Sequence, residues 1–216
     1  MLGPPRSAIA IAGQAFLGLA AGLAAMATIE LALVLTGAAR LEAGQPYSAL
    51  GVTVGGAVTA LLIAAAQEGW VRGWLLTLAW SRWGFHRAAI GSSALFVLLH
   101  AEPGLRTVAP AEVALGAAGL FLFGLAAAAS VKATGSIAWA LGAHAGWDYV
   151  GGFLLGAPAY GREPGDESLL LITPDGGQGW AAGGAFGPEA SPLAIVVLAA
   201  AAWAWLRVRS APRASH

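Results

Sequence analysis

Six ionisable side chains lie within the apolar stretches of this sequence, and their types and spacing are suited to chemistry. They are Glu30, Glu68, Arg72, His100, His144 and Asp148. A charged side chain at membrane depth costs about 3 kcal/mol on insertion scales, so such residues usually serve a function. Glu68 and Arg72 are spaced i,i+4, which places both on one helical face where they can pair. His144 and Asp148 have the same spacing, and a His–carboxylate pair can fix a tautomer or hold a metal.

If these groups converge in the fold, they are the smallest set of side chains that can hydrolyse an amide bond. A carboxylate with one His can activate water as a general base, and a second His with a carboxyl or amide group can stabilise an oxyanion. The same groups, Glu68, His100, His144 and Asp148, can instead bind zinc, and spacing alone does not separate these two interpretations. Each pair also has a purely structural interpretation, as an ion pair or polar pair that fixes helix packing. Glu30 is a lone acid that is expected near the membrane interface, and no role is assigned to it.

The composition indicates that lipid surrounds these residues. The 216-residue chain is 58% hydrophobic and only 10% charged, whereas soluble domains carry about 25% charged residues. Its mean hydropathy is +0.72. The formal net charge is zero and no basic stripe is present, so nucleic-acid binding is not expected. Because cysteine is absent, disulfides and cysteine catalysis are excluded.

Hydrophobic runs long enough to cross a bilayer predict an all-α fold, a polytopic transmembrane helical bundle of about six spans in a single membrane domain, residues 1–216. The predicted spans are Ala8–Thr36, Leu50–Trp83, Arg87–Ala101, Pro110–Val131, Ser136–Leu155 and Leu193–Leu206. The second run is long for one straight helix, and it is expected to bend or break near Gln67–Gly73, where Gly69 weakens it. No role is assigned to the Gly- and Pro-rich loop 156–192.

Other residues are expected to pack the bundle or surround the polar groups. Small residues such as Gly18, Gly22, Gly55 and Gly142 let membrane helices approach closely. Trp70 and Trp147 lie inside the polar segments and are expected to line the site. These four glycines are expected to carry no chemistry.

The distribution of basic residues predicts the orientation of the chain in the membrane. With both termini in the cytoplasm, seven basic residues lie inside and three outside. The inner set is Arg6, Arg82, Arg87, Lys132, Arg207, Arg209 and Arg213, and the outer set is Arg40, Arg106 and Arg162. The acidic loop is then outside, with Glu163, Asp166, Glu167 and Asp175.

Three motifs in order resemble a known family. The first, Gln67-Glu68-Gly69-Trp70-Val71-Arg72-Gly73, is similar to an acidic pair followed by three residues, Arg and Gly; the second is Phe96 to His100, and the third is His144 to Asp148. With these motifs, the chain resembles the CPBP family of intramembrane endopeptidases. That family includes the type II CAAX prenyl proteases and bacteriocin-processing or immunity proteins. The family-like core covers about residues 50–156.

The resemblance implies an all-helical membrane protease whose substrate is a membrane-associated or prenylated peptide. It implies that Glu68 and His100 activate water, that His144 and Asp148 hold the carbonyl oxygen, and that no cofactor is required. Arg72 is expected to orient the acid. Membrane lipid is the other expected partner.

Two residues depart from the family pattern. Gln67 stands where the leading acid is usual, and an amide cannot act as a base. Glu68 would point about 100° away from that position unless the helix is distorted, which Gly69 allows. Asp148 stands where Asn is commonest; an ionised Asp only accepts hydrogen bonds, whereas a protonated one can donate.

Two other function classes compete with the protease. The first is a catalytically inactive family member that acts as a membrane binding or scaffold protein, which Gln67 favours. The second is a small transporter, in which the polar groups line a pathway. No broken-helix pair or inverted repeat supports a transporter.

Overall fold

Seven α-helices and one two-stranded sheet make up the part of the chain that the structure describes. The structure is a computed structural model, and it describes residues 7–45, 48–163, 168–177 and 179–208. The helices are α1 (Ala8–Leu35), α2 (Ala49–Glu68), α3 (Leu76–Trp83), α4 (Phe85–Leu99), α5 (Pro110–Thr134), α6 (Ala138–Asp148) and α7 (Pro192–Arg207). The strands are β1 (Ala39–Ala43) and β2 (Leu170–Pro174).

The predicted all-α bundle is confirmed, because every predicted span coincides with a helical segment to within a few residues. Three of these segments are long and apolar enough to cross a membrane: Ala8–Leu35, Ala49–Trp83 and Pro110–Thr134. Helices α4 and α7 are apolar but shorter. Six crossings therefore stay a prediction. The small sheet was not predicted.

Several helix ends are set by local sequence. Ser7, Ser48 and Ser191 each precede a helix, and each side-chain oxygen accepts a backbone N–H of the first turn. Pro110 occupies the start of α5, where a missing N–H has no cost. Gly135 ends α5 with a φ of 67°, in the left-handed region that favours glycine.

Two π-helical segments interrupt the bundle next to the motif residues. The predicted break near Gln67–Gly73 is a π-helix over Gly69–Leu75, so the helix continues from α2 into α3 with a shifted phase. A second π-helix, Tyr149–Leu154, follows α6 directly. Glu68 and Asp148 are thus each the last α-helical residue before a π-helix. Such segments occur often at functional sites because they change the direction of nearby side chains.

Helices α1 and α6 pack closely through small residues. A Cβ at Gly18, Gly22, Gly142 or Gly146 would collide with backbone atoms of the opposing helix, which is the approach that small residues permit. Gly55, which was also expected at a helix contact, has open space around its Cα. Helix α2 also packs on α6, and α5 packs on α4 and α7.

The antiparallel sheet joins the end of α1 to the long loop before α7. The register pairs Ala39 with Pro174 and Ala43 with Leu170. Beside the strands, Arg40 forms an ion pair of 2.6 Å with Asp175. The sheet therefore restrains a loop that the sequence left without a role.

Some residues that the orientation prediction uses lie outside the described residues. They are Arg6, Asp166, Glu167, Arg209 and Arg213.

Candidate active site

The first motif forms a fully buried ion pair at the junction of α2 and the first π-helix. Arg72 Nη1 donates to Glu68 Oε1 at 3.0 Å, and neither side chain is exposed. The guanidinium carbon of Arg72 lies 4.1 Å from the centre of the Phe96 ring, in a cation–π contact. Glu68 Oε2 has no hydrogen-bond partner among the described residues. The predicted Glu68–Arg72 pair is therefore present, and it connects the first motif to the second.

The third motif continues this row of charged groups. His144 Nδ1 lies 3.0 Å from Glu68 Oε1, and His144 Nε2 lies 3.4 Å from Asp148 Oδ2. Each ring nitrogen of His144 thus faces a carboxylate. Glu68 was expected to act with His100, but the structure places Glu68 against His144, because α2 packs on α6.

His100 ends α4 and presents one free ring nitrogen. Its Nδ1 lies 2.7 Å from the carbonyl oxygen of Phe96. Because a carbonyl only accepts, Nδ1–H donates, and Nε2 of the neutral ring carries a lone pair. The His100 ring lies 4.5 Å from the Phe96 ring at a tilt of 57° and 5.5 Å from the Tyr160 ring, centre to centre. His100 is therefore oriented to accept a proton through Nε2.

Two cavities meet at these side chains. The inner cavity has a volume of about 20 Å³, and the outer one about 570 Å³. His144 lines only the inner cavity, Gln67 lines only the outer one, and Glu68 lines neither. The residues that line both are His100, Trp147, Asp148, Tyr160 and Glu189.

The sizes of the cavities suit different occupants. A polar cavity above roughly 10–15 Å³ can hold one water, and the inner cavity exceeds this. Ligand sites commonly measure about 300–1,000 Å³, so the outer cavity can take a short peptide segment. Glu102 and Arg162 line the outer cavity and form an ion pair of 3.3 Å.

Tyr160 and Glu189, which the sequence analysis missed, come from the long loop. Trp147 Nε1 donates to Glu189 Oε1 at 2.8 Å, and the Tyr160 hydroxyl donates to Glu189 Oε2 at 2.9 Å. Tyr160 is the non-glycine residue with positive φ, 55°, in the described ranges. Such backbone is uncommon and clusters at functional sites. Nothing in the local sequence indicates that this loop returns to the bundle.

The hydroxyl of Tyr160 is a permanent donor at neutral pH. Burial, and then the nearby carboxylate of Glu189, raises the pKa of Tyr160 well above its usual range. The phenol therefore stays protonated and holds its hydrogen bond to Glu189.

One other expectation about an individual residue was wrong. Trp70 does not line either cavity; it is 49% exposed and stacks on Trp74 at the bundle surface. Glu30 is fully buried in the bundle, and its position near the membrane interface stays a prediction. Neither Glu30 carboxyl oxygen has a hydrogen-bond partner among the described residues. Trp147, in contrast, lines both cavities as expected.

The four candidate zinc ligands do not form a metal-ligand set in this arrangement. Across the described ranges, no three His, Cys, Asp or Glu side chains are grouped around one point. The Arg72 cation also occupies Glu68 Oε1, where it would repel a metal ion.

Residues 49–150 match the family model of type II CAAX prenyl endopeptidase Rce1-like proteins. The matched segment contains all three motifs and runs from α2 into the second π-helix. Neither the curated proteins nor the solved structures contain a match to the chain. With the long apolar helices, the family match indicates an integral membrane protein.

Proposed function

Because this chain, through residues 49–150, belongs to the type II CAAX prenyl endopeptidase Rce1-like family of membrane proteases, we propose that it is an intramembrane endopeptidase. Its substrate is a membrane-associated or prenylated peptide. The observation that carries this proposal is the convergence of His100, His144 and Asp148, from two different helices, on cavities sized for water and peptide.

Water activation is assigned to His100 and a carboxylate. Nε2 of His100 accepts a hydrogen bond from the attacking water, and removal of a proton by a positioned base contributes typically 10²–10⁴-fold to rate. The sequence analysis named Glu68 as the carboxylate. In the observed arrangement Glu68 acts through His144, whose ring it orients, and a direct role through its free Oε2 stays a prediction.

Stabilisation of the oxyanion is assigned to His144 and Asp148. A developing negative charge needs N–H or O–H donors directed at it. His144 supplies one when both ring nitrogens carry protons, and Asp148 supplies one when it is protonated. The contact of 3.4 Å between them is long for a hydrogen bond, so a carbonyl oxygen can compete for either donor.

Apolar side chains form part of the wall around these groups. Phe96 and Phe123 line the inner cavity together with Leu120. Apolar walls strengthen electrostatic interactions inside a site because they lower the local dielectric. Met26, Ile63 and Phe153 line the outer cavity, which suits an apolar or lipid-linked peptide.

The cytoplasmic placement of both termini also belongs to this proposal. It puts the sheet and the mouth of the outer cavity on the outer face, where Glu163 lines the rim. The chain has no native cysteine, so single cysteines at Ser81 and Glu163 can be labelled with an impermeant thiol reagent in intact cells. Labelling of Glu163→Cys but not Ser81→Cys supports the orientation, and the reverse contradicts it.

His100→Ala tests the proposed activity. Purified protein in lipid is given a pool of peptides and prenylated peptides, and cleavage products are identified by mass spectrometry. Wild type is expected to cleave, and His100→Ala to lose about 10²–10⁴-fold because a group that activates the attacking water is removed. His86→Ala, a change at an exposed histidine of the same helix, is the matched control and should cleave normally.

Other outcomes of this assay select other functions. Normal cleavage by His100→Ala contradicts the assignment of His100 to water activation. A silent wild type beside an active Gln67→Glu variant identifies an inactive family member that binds rather than cuts. Zinc, which the sequence analysis kept as an alternative, is measured in the same preparation by elemental analysis and chelation.

A further inference from the structure

The reaction proposed above needs a carboxylate at the water, and the first motif does not place one there. Gln67 reaches the outer cavity but carries an amide, which is not a base. Glu68 carries an acid but lines neither cavity. Its Oε1 is already bound by Arg72 and His144. Any carboxylate that activates water in this chain therefore comes from outside the first motif.

Glu189 faces both cavities from the loop before α7. It lies in a 3-10 turn over Pro188–Ala190, and Ala190 is fully buried. The turn packs directly on α5, where a Cβ at Gly119 would lie 2.7 Å from the Glu189 carbonyl oxygen. The backbone that carries this carboxylate is thus fixed by the bundle.

The carboxylate of Glu189 is also fixed in direction. Trp147 donates to one of its oxygens and Tyr160 to the other, at 2.8 and 2.9 Å. A carboxylate has about four lone-pair sites, so each oxygen can still accept a hydrogen bond from water. Both donors are neutral groups, whereas the partner of Glu68 is a guanidinium cation.

Glu189 and His100 border the same small space. Both line the inner cavity of about 20 Å³, which has room for one water. Tyr160 connects them, because its ring lies 5.5 Å from the His100 ring while its hydroxyl binds Glu189. Asp148 and His144, the proposed oxyanion groups, line this cavity as well.

We propose that Glu189 supplies the carboxylate that activates water in this chain, in place of the acid that Gln67 lacks. The inference rests on the proposed function. Glu189 takes one proton as the water oxygen bonds to the peptide carbonyl carbon, and the carbonyl π electrons move to oxygen. When the C–N bond breaks, the proton passes to the leaving nitrogen, which gives a carboxylic acid and an amine.

The competing explanation is that Glu189 only anchors the loop. Glu189→Gln separates the two roles, because the amide keeps one acceptor oxygen and nearly the same shape but cannot take the proton. Glu42→Gln, on the exposed strand β1 and away from both cavities, is the matched control. kcat, KM and the thermal midpoint are measured for both variants in lipid or detergent.

We expect Glu189→Gln to lower kcat by about 10²-fold or more, with KM and the thermal midpoint close to wild type, while Glu42→Gln changes none of them. Glu189→Asp, a shorter carboxylate, should retain more activity than Glu189→Gln, which distinguishes lost chemistry from lost shape.

Two results would overturn the inference. One is cleavage by Glu189→Gln within about threefold of wild type, far below the usual contribution of a general base. The other is loss of activity together with a comparable fall of the thermal midpoint in both Glu189 variants, which assigns an anchoring role. If wild type itself does not cleave, the proposed function fails instead, so the two failures are distinguishable.

Discussion

Two acids of this protein, Glu68 on α2 and Glu189 in the loop before α7, occupy opposite kinds of environment. Glu68 is fully buried, is bound by a cation and lines neither cavity. Glu189 is partly buried, is bound by two neutral donors and lines both cavities. An acid paired with a buried cation is suited to holding the fold, because separating the pair is costly. An acid beside open space is suited to proton transfer.

The largest expected effect is a loss of stability when the buried Glu68–Arg72 pair is broken. Arg72→Ala leaves the Glu68 carboxylate buried without its cation, and breaking a buried pair in this way costs about 3–5 kcal/mol of the free energy of unfolding. Chemical unfolding in detergent measures the loss. Arg82→Ala, at an exposed arginine, is the control and should change stability little. A loss below about 1 kcal/mol in Arg72→Ala would mean that the pair is not structural.

The next largest effect tests whether an acid at position 67 can replace Glu189. Gln67→Glu places a carboxylate at the outer cavity. In a Glu189→Gln background it should raise kcat at least about tenfold over Glu189→Gln alone, which is part of what a general base contributes. The double variant is compared with Glu189→Gln alone in the same cleavage assay. No recovery at all would mean that an acid at position 67 cannot reach the water.

The smallest effect concerns the donor that orients Glu189. Tyr160→Phe removes one hydrogen bond to the carboxylate, and a hydrogen bond to a charged group is worth at least about 1.5 kcal/mol, so kcat should fall about tenfold. Since the pKa of Tyr160 lies well above its usual range, the phenol is neutral throughout a normal assay. The alkaline limb of the pH profile should therefore have the same midpoint in Tyr160→Phe and wild type. A shift of that limb would assign it to Tyr160.

The helices and the pairs within one helix could be predicted from the sequence. The helices follow from apolar runs, and the Glu68–Arg72 and His144–Asp148 pairs follow from i,i+4 spacing, because both are local properties of one helix. The contact between Glu68 and His144 could not be predicted from the sequence. It depends on how α2 packs on α6 and on how the π-helix changes the direction of nearby side chains, and no sequence signal gives that change.

Glu189 and Tyr160 were missed for the same reason. Each lies outside the helices, in a loop whose course is set by contacts with distant parts of the chain. A side-chain hydrogen bond from Thr173 to Glu42 joins β2 to β1 across 131 positions. The alternation in β1 covers only five residues and does not indicate which segment pairs with it. The residues most dependent on tertiary structure are thus the ones least visible in the sequence.

The small sheet has a consequence for how many times the chain can cross the bilayer. Paired strands lie about 4.8 Å apart, whereas the hydrocarbon core is about 30 Å thick, so β1 and β2 must occupy the same face of the membrane. The chain between them must therefore cross an even number of times. Helix α6 and the π-helix after it run parallel to α1, with Gly18 against Trp139 and Gly151 against Met26. An even number of crossings between the strands requires this parallel direction. If one helix between the strands turned back without crossing, a second would have to do so as well.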